Sequence, residues 1–197
     1  MNLFIAILVT LLLIWAAYVD LKTRLIPKGA GYGLLLIGLL VLLWNQLWVE
    51  AAYYVLAIWC TSGGIWRLVL ILASAVTIFI RGEASIPLVL GILSVSAAFW
   101  ARRFGGGDAQ LAIGLIGVGH DWPILLFLLG ATSVIGVIVV FHKLGFIAGI
   151  NRFIVVFQKF LEKPDEDAVQ SPWGGIALIA GTLYLWVWPI MNGGRLI

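Results

Sequence analysis

Apolar residues fill the chain in long blocks, and polar residues gather in short gaps between them. The blocks run over about 3–19, 30–49, 50–66, 68–80, 84–101, 108–119, 122–142 and 173–190. None shows the two-residue alternation of a half-buried strand. About 20 apolar residues cross the hydrocarbon of a bilayer as a helix, and a helix in lipid satisfies its own backbone hydrogen bonds. The pattern therefore predicts an all-α fold, a polytopic transmembrane helix bundle rather than a barrel. The blocks 68–80 and 108–119 are short for a crossing, so the expected count is about six to eight membrane segments.

The longest polar gap, about 143–171, has its own period. Phe146, Ile150, Phe153, Ile154, Phe157, Phe160 and Leu161 recur at three- and four-residue spacing, with Arg152, Gln158, Lys159 and Lys163 between them. That spacing predicts an amphipathic helix near 146–163 lying on the membrane surface. The acidic stretch that follows reads as a solvated connector. No internal repeat or second domain interrupts residues 1–197, which read as a single membrane-embedded domain.

Composition agrees: 63% of residues are hydrophobic and 11% charged. A water-soluble domain of this size cannot hide so much apolar surface. The net charge of +3 does not point to nucleic acid, because the basic residues sit between apolar blocks, where they set topology. With the N-terminus outside, Lys22, Arg24, Lys28, Arg67, Arg102, Arg103, Lys143, Arg152, Lys159 and Lys163 face the cytoplasm, leaving Arg81 and Arg195 outside. Short cytoplasmic loops collect Lys and Arg, so this orientation is the expected one. The first block lacks a basic leader of its own and is expected to stay as a membrane helix. The lone Cys60 can form no internal disulfide and reads as packing.

Most of the nine acids have simple places. Glu50, Glu83 and Asp121 fall at expected outer turns, and Glu162, Asp165, Glu166 and Asp167 in the connector. Asp20 and Asp108 differ, since each abuts an apolar helix where a charge costs about 2.5 to 3.5 kcal/mol at membrane depth. Taken singly, Asp20 suits a helix end paired with Lys22 or Arg24, and Asp108 suits a helix start favoured by the dipole. Taken together at one face, two carboxylates share a proton near neutral pH, one to activate water and one to protonate. The dipole argument makes Asp108 the expected ionised partner and Asp20 the proton holder. Gly105, Gly106 and Gly107 leave room beside Asp108 for another backbone, and Pro27 stops the helix that follows Asp20 from continuing. No H-E-x-x-H zinc motif is present, and His120 and His142 fall at opposite expected faces, so neither a metal nor a cofactor is expected.

Three motifs in this order resemble one family. "DLKTRLIP" from Asp20 to Pro27 resembles the D-x-x-x-x-x-I-P segment, and "GGGDAQL" around Asp108 the G-x-G-D-x-K-L motif, of the type IV prepilin and archaeal preflagellin peptidases. "SPWGGIALIAG" at 171–181, with Pro172 and Gly174, resembles the P-[FY]-G-x-x-[IL]-A-x-G signature of that family's last helix. The resemblance spans nearly the whole chain. It implies an integral cytoplasmic-membrane aspartic endopeptidase of the GxGD type, with Asp20 and Asp108 as its catalytic pair. Its partners would be prepilin-, pseudopilin- or preflagellin-like precursors, cut on the cytoplasmic side between a short basic leader and an apolar helix.

The chain also departs from the pattern. Gln110 replaces the usual lysine, and Lys28 follows Pro27 where asparagine or aspartate is common. The long interval from Asp20 to Asp108 suggests an added hairpin around 50–80. The soluble methyltransferase region with paired cysteines found in bifunctional relatives is missing, which implies cleavage without methylation. Two other readings stay open at this stage. One is a catalytically silent relative serving as an assembly subunit; the other is a small transporter in which the two acids carry protons or cations.

Overall fold

The computed structural model describes residues 3–60, 65–101, 105–144 and 173–192. Helices account for the expected blocks: α1 (Leu3–Thr23), α2 (Lys28–Trp44), α3 (Trp48–Cys60), α4 (Trp66–Arg81), α5 (Ile86–Trp100), α6 (Gly106–Gly119) and α7 (Trp122–Leu144). The last block is α8 (Trp173–Thr182), which passes through a wider π-turn (Leu183–Val187) into α9 (Trp188–Met191). No strand occurs among the described residues. Four helical stretches are long and apolar enough to cross a membrane: Leu3–Thr23, Trp66–Trp100, Trp122–Val139 and Trp173–Met191. The expected surface helix at 146–163, Arg102, Arg103 and Pro172 lie outside the described residues, as does the side chain of Cys60.

The stretch Trp66–Trp100 is no straight rod. Gly82 takes φ 66 and ψ −148, a conformation that side chains resist, and a short 3-10 turn (Gly82–Ser85) reverses the chain. Arg67 consequently lies 5.4 Å from the ring centroid of Trp100. α3 runs antiparallel to α4, with the Tyr53 hydroxyl 2.9 Å from Ser74 Oγ and Arg81 Nε donating to Glu50 Oε1 at 2.7 Å. A helical hairpin stands at Trp48–Arg81, in the interval between Asp20 and Asp108. Glu50 departs from its expected place. It sits in the first turn of α3, 3% exposed, because Arg81 supplies the opposite charge that makes its burial tolerable.

α6 is the centre of the bundle. Leu111 through Gly119 are all buried, and so is Ala109, so this helix is enclosed on every side. Its closest partner is α2, and the seam between them is made of glycines. A Cβ on Gly114 would come within 2.9 Å of the Leu34 carbonyl carbon, and one on Gly38 within 2.9 Å of the Gly114 carbonyl oxygen. Tyr54 of α3 closes the seam by packing its ring on Gly117 and donating its hydroxyl to the Leu35 carbonyl at 3.2 Å. Small residues allow this approach, which carries helix association where lipid is as apolar as the side chains. Elsewhere large apolar side chains face outward, among them Phe4, Trp15, Phe79 and Leu126, a surface that lipid solvates and water does not.

Candidate active site

α1 buries one stripe, Ala6, Val9, Leu13, Ala16, Ala17 and Asp20, at three- and four-residue spacing. Asp20 therefore projects from the last turn into the bundle and is 5% exposed. α8 crosses α1 at this level through Gly174, where a Cβ would come within 2.8 Å of Ala17 Cα. The approach lets the Gly174 N–H donate to Asp20 Oδ2 at 2.9 Å. No ion pair links Asp20 to Lys22 or Arg24. Lys22 instead lies over the Tyr18 ring, 4.5 Å from its centroid, and both cations are exposed.

The chain then turns sharply. The Arg24 N–H bonds to the Asp20 carbonyl at 2.8 Å, with Arg24 itself in the left-handed region at φ 56. Pro27 caps α2 in an extended conformation, and its carbonyl accepts the Ala30 N–H at 3.0 Å. Between them Ile26 rests on Gly107, whose missing Cβ would lie 2.8 Å from Ile26 Cβ. The loop after Asp20 is thereby seated on the start of α6, beside Asp108.

Asp108 occupies the third position of α6, and its Oδ2 accepts the Gly105 N–H at 2.9 Å, closing the first turn. The three glycines divide their tasks. Gly105 supplies that N–H, Gly107 admits Ile26, and Gly106 faces open space, with no atom within 4 Å of where its Cβ would be. Gln110 packs against Gly31 of α2, where a side chain would collide with its amide oxygen.

α6 lies outside the four stretches that could cross a membrane, and Asp108 stands in its first turn. Burial pushes the Asp108 carboxyl up to about 6; the Gly105 N–H opposes the shift and the charge of Asp20 adds to it. The structure thus brings Asp20 and Asp108, 88 positions apart in the chain, within each other's field. Asp108, expected to be the ionised member from its helix-start position, is thus held toward its neutral form. Desolvation outweighs the Gly105 N–H there. Neither carboxylate has an ion-pair partner among the described residues.

Sequence reasoning placed Gly174 in a motif and missed its contact. Its N–H reaches Asp20 only because Ala16 and Ala17 are small, and the Ala-Ala step at the end of an apolar helix was the available signal. Among the described residues no cluster of three or more His, Cys, Asp or Glu could hold a metal ion. A scan against protein-family models, a search of curated proteins and a search of solved structures each return no match.

Proposed function

We propose that this protein is a membrane aspartic endopeptidase of the GxGD type, which removes short basic leaders from prepilin-like precursors. The observation that carries the reading is the meeting of Asp20 and Asp108 at one end of an apolar bundle, with no cation to neutralise either among the described residues. The segments that carry the family resemblance converge there: Ile26 of the first on Gly107 of the second, and Gly174 of the third on Asp20.

In this reading the two carboxylates titrate as one unit. Asp108 carries the shared proton and gives it to the scissile carbonyl oxygen as the tetrahedral centre forms. Asp20 takes a proton from the attacking water, held for that task by the Gly174 N–H. The chain crosses the cytoplasmic membrane six to eight times with its N-terminus outside, which puts the dyad on the cytoplasmic side, beside the leader of an inserting precursor.

Co-expression with candidate precursors tests this by following leader loss by mass. The wild type shortens its precursor, in the presence of chelators as in their absence, and Asp108→Asn leaves it intact. Full-length precursor beside wild-type protein, together with proton-coupled flux in proteoliposomes, returns the chain to the transporter reading. Unshortened precursor without flux returns it to the assembly-subunit reading.

A further inference from the structure

The helices of this bundle fall into two lengths. α1, α7 and the continuous α8–α9 unit run 21, 23 and 19 residues, whereas α3, α4 and α5 run 13, 16 and 15. The short three pack in sequence, α3 on α4 and α4 on α5, and form one wall of the bundle. At 1.5 Å per residue they measure about 20 to 24 Å, against about 30 Å for the hydrocarbon of an ordinary bilayer.

Charged and aromatic residues fix the span more narrowly. On α4, Arg67 and Arg81 are both exposed, and the rise from one to the other is about 21 Å. The large side chains exposed between them, Leu68, Ile71, Leu72, Val76, Phe79 and Ile80, are all apolar. Ser74 and Thr77 turn inward and bond carbonyls of their own helix at 2.7 and 2.8 Å. On α3, Trp48 and Trp59 are 64% and 72% exposed. Their separation is close to three turns, so both leave the same face, about 16 Å apart along the helix. Tryptophan gathers at the polar boundaries of a membrane, and a pair this close marks two boundaries drawn together.

The turn at Gly82–Ser85 cannot stop inside lipid, because Arg81 and Glu83 are exposed there. A short apolar span meets a thicker bilayer by reaching out with long basic side chains, by covering its face with another protein, or by thinning the bilayer. Both arginines are turned sideways instead of outward. Arg81 bonds Glu50 of α3 at 2.7 Å, and Arg67 lies 5.4 Å from the ring centroid of Trp100 of α5.

We propose that the bilayer thins to about 21 Å against the α3–α5 wall and keeps its ordinary thickness beside α1 and α7. The partner this face fits is a ring of phospholipids with shortened or disordered acyl chains. α5 ends at Trp100 and α6 begins at Gly106, so the depression reaches the end of the bundle that holds Asp108. The inference uses the proposed crossing of α3, α4 and α5 and stands apart from the peptidase chemistry.

Single nitroxide labels test this in the full chain carrying Cys60→Ser, held in vesicles of ordinary chain length. Leu68→Cys and Phe79→Cys place labels on α4 one and two residues inside the arginines, and Leu126→Cys and Ile138→Cys place them at exposed positions of α7. Collisions with oxygen and with a polar nickel chelate read the depth of each. The expected result is both α4 labels about 2 to 3 Å inside the polar boundary and both α7 labels at about 6 Å. Should the label at Phe79 unfold the protein, Ile80→Cys takes its place. Labels on α4 as deep as those on α7 overturn the inference. A shallow label at Leu68 with a deep one at Phe79 shows a hairpin that stops short of crossing, and overturns it as well. Labels on α4 shielded from oxygen and chelate alike place a second copy of the chain on this face, which also overturns it.

Discussion

The two ends of the bundle treat their acids in opposite ways. At the end away from the dyad, Glu50 is met by Arg81 at 2.7 Å. Asp121 accepts the Ile124 N–H at 3.4 Å, and the Tyr184 hydroxyl lies 3.1 Å from both Asp121 Oδ2 and the Gly119 carbonyl. Each of these acids ties one helix to another. At the other end, among the described residues, Asp20 and Asp108 receive only backbone N–H groups and lie within each other's field, while Lys22, Arg24 and Lys28 stay exposed. Acids thus act as fastenings where a side-chain partner is supplied, and in the proposed reading they share a proton where it is withheld.

The contrast predicts that activity and stability separate between the ends. The largest effect falls at the dyad end, where Asp20→Ala or Asp108→Ala lowers kcat/KM by about 10⁴ or more, the scale of removing one member of a catalytic unit. Helical content by circular dichroism stays near wild type in both. Second is Arg81→Met at the far end. It strands Glu50 in an apolar wall and costs about 3 kcal/mol, read as a lowered thermal midpoint. Glu50→Leu with Arg81→Met regains most of that loss, and both proteins cut precursor at the wild-type rate per folded molecule. Cleavage that fails in step with either far-end variant would erase the distinction.

The third prediction concerns pH. Asp108 is held protonated up to about 6, so kcat/KM falls as pH rises past that value. Its stability effect has a definite sign. The unfolded chain releases this proton near the ordinary carboxylate value of about 4, whereas the folded chain holds it to about 6. Folding stability is therefore full below about pH 4 and declines as pH rises toward 6. Asp108→Asn flattens that slope, and denaturant melts at pH 4 and 7 read it. The smallest effect is expected from Tyr184→Phe, which removes one hydroxyl at the far end. It costs about 1 kcal/mol and leaves the cleavage rate unchanged.

Much of the bundle was legible in the chain. Apolar length located each described helix to within a few residues, Pro27 marked the start of α2, and the glycines before Asp108 marked the start of α6. The reversal at Gly82 was less visible, since one glycine in a long apolar run carries no period. Asp20 and Asp108 stood out because a carboxylate beside an apolar run has few structural uses. The upward push on Asp108 was not legible, because a helix-start position can be read from sequence and the desolvation of its carboxyl cannot. The Glu50–Arg81 pair was hidden for a related reason: the two residues lie 31 positions apart and meet only once α3 and α4 fold back on each other.

The central claim, that Asp20 and Asp108 act as one catalytic unit, is tested most directly by leader release from a purified precursor with Asp20→Asn, Asp108→Asn and the double variant. The account predicts that each single change removes about 10⁴ or more of the rate and that the double change removes no more than either alone. Cleavage within about tenfold of wild type in either single variant, or losses that add in the double variant, would contradict it.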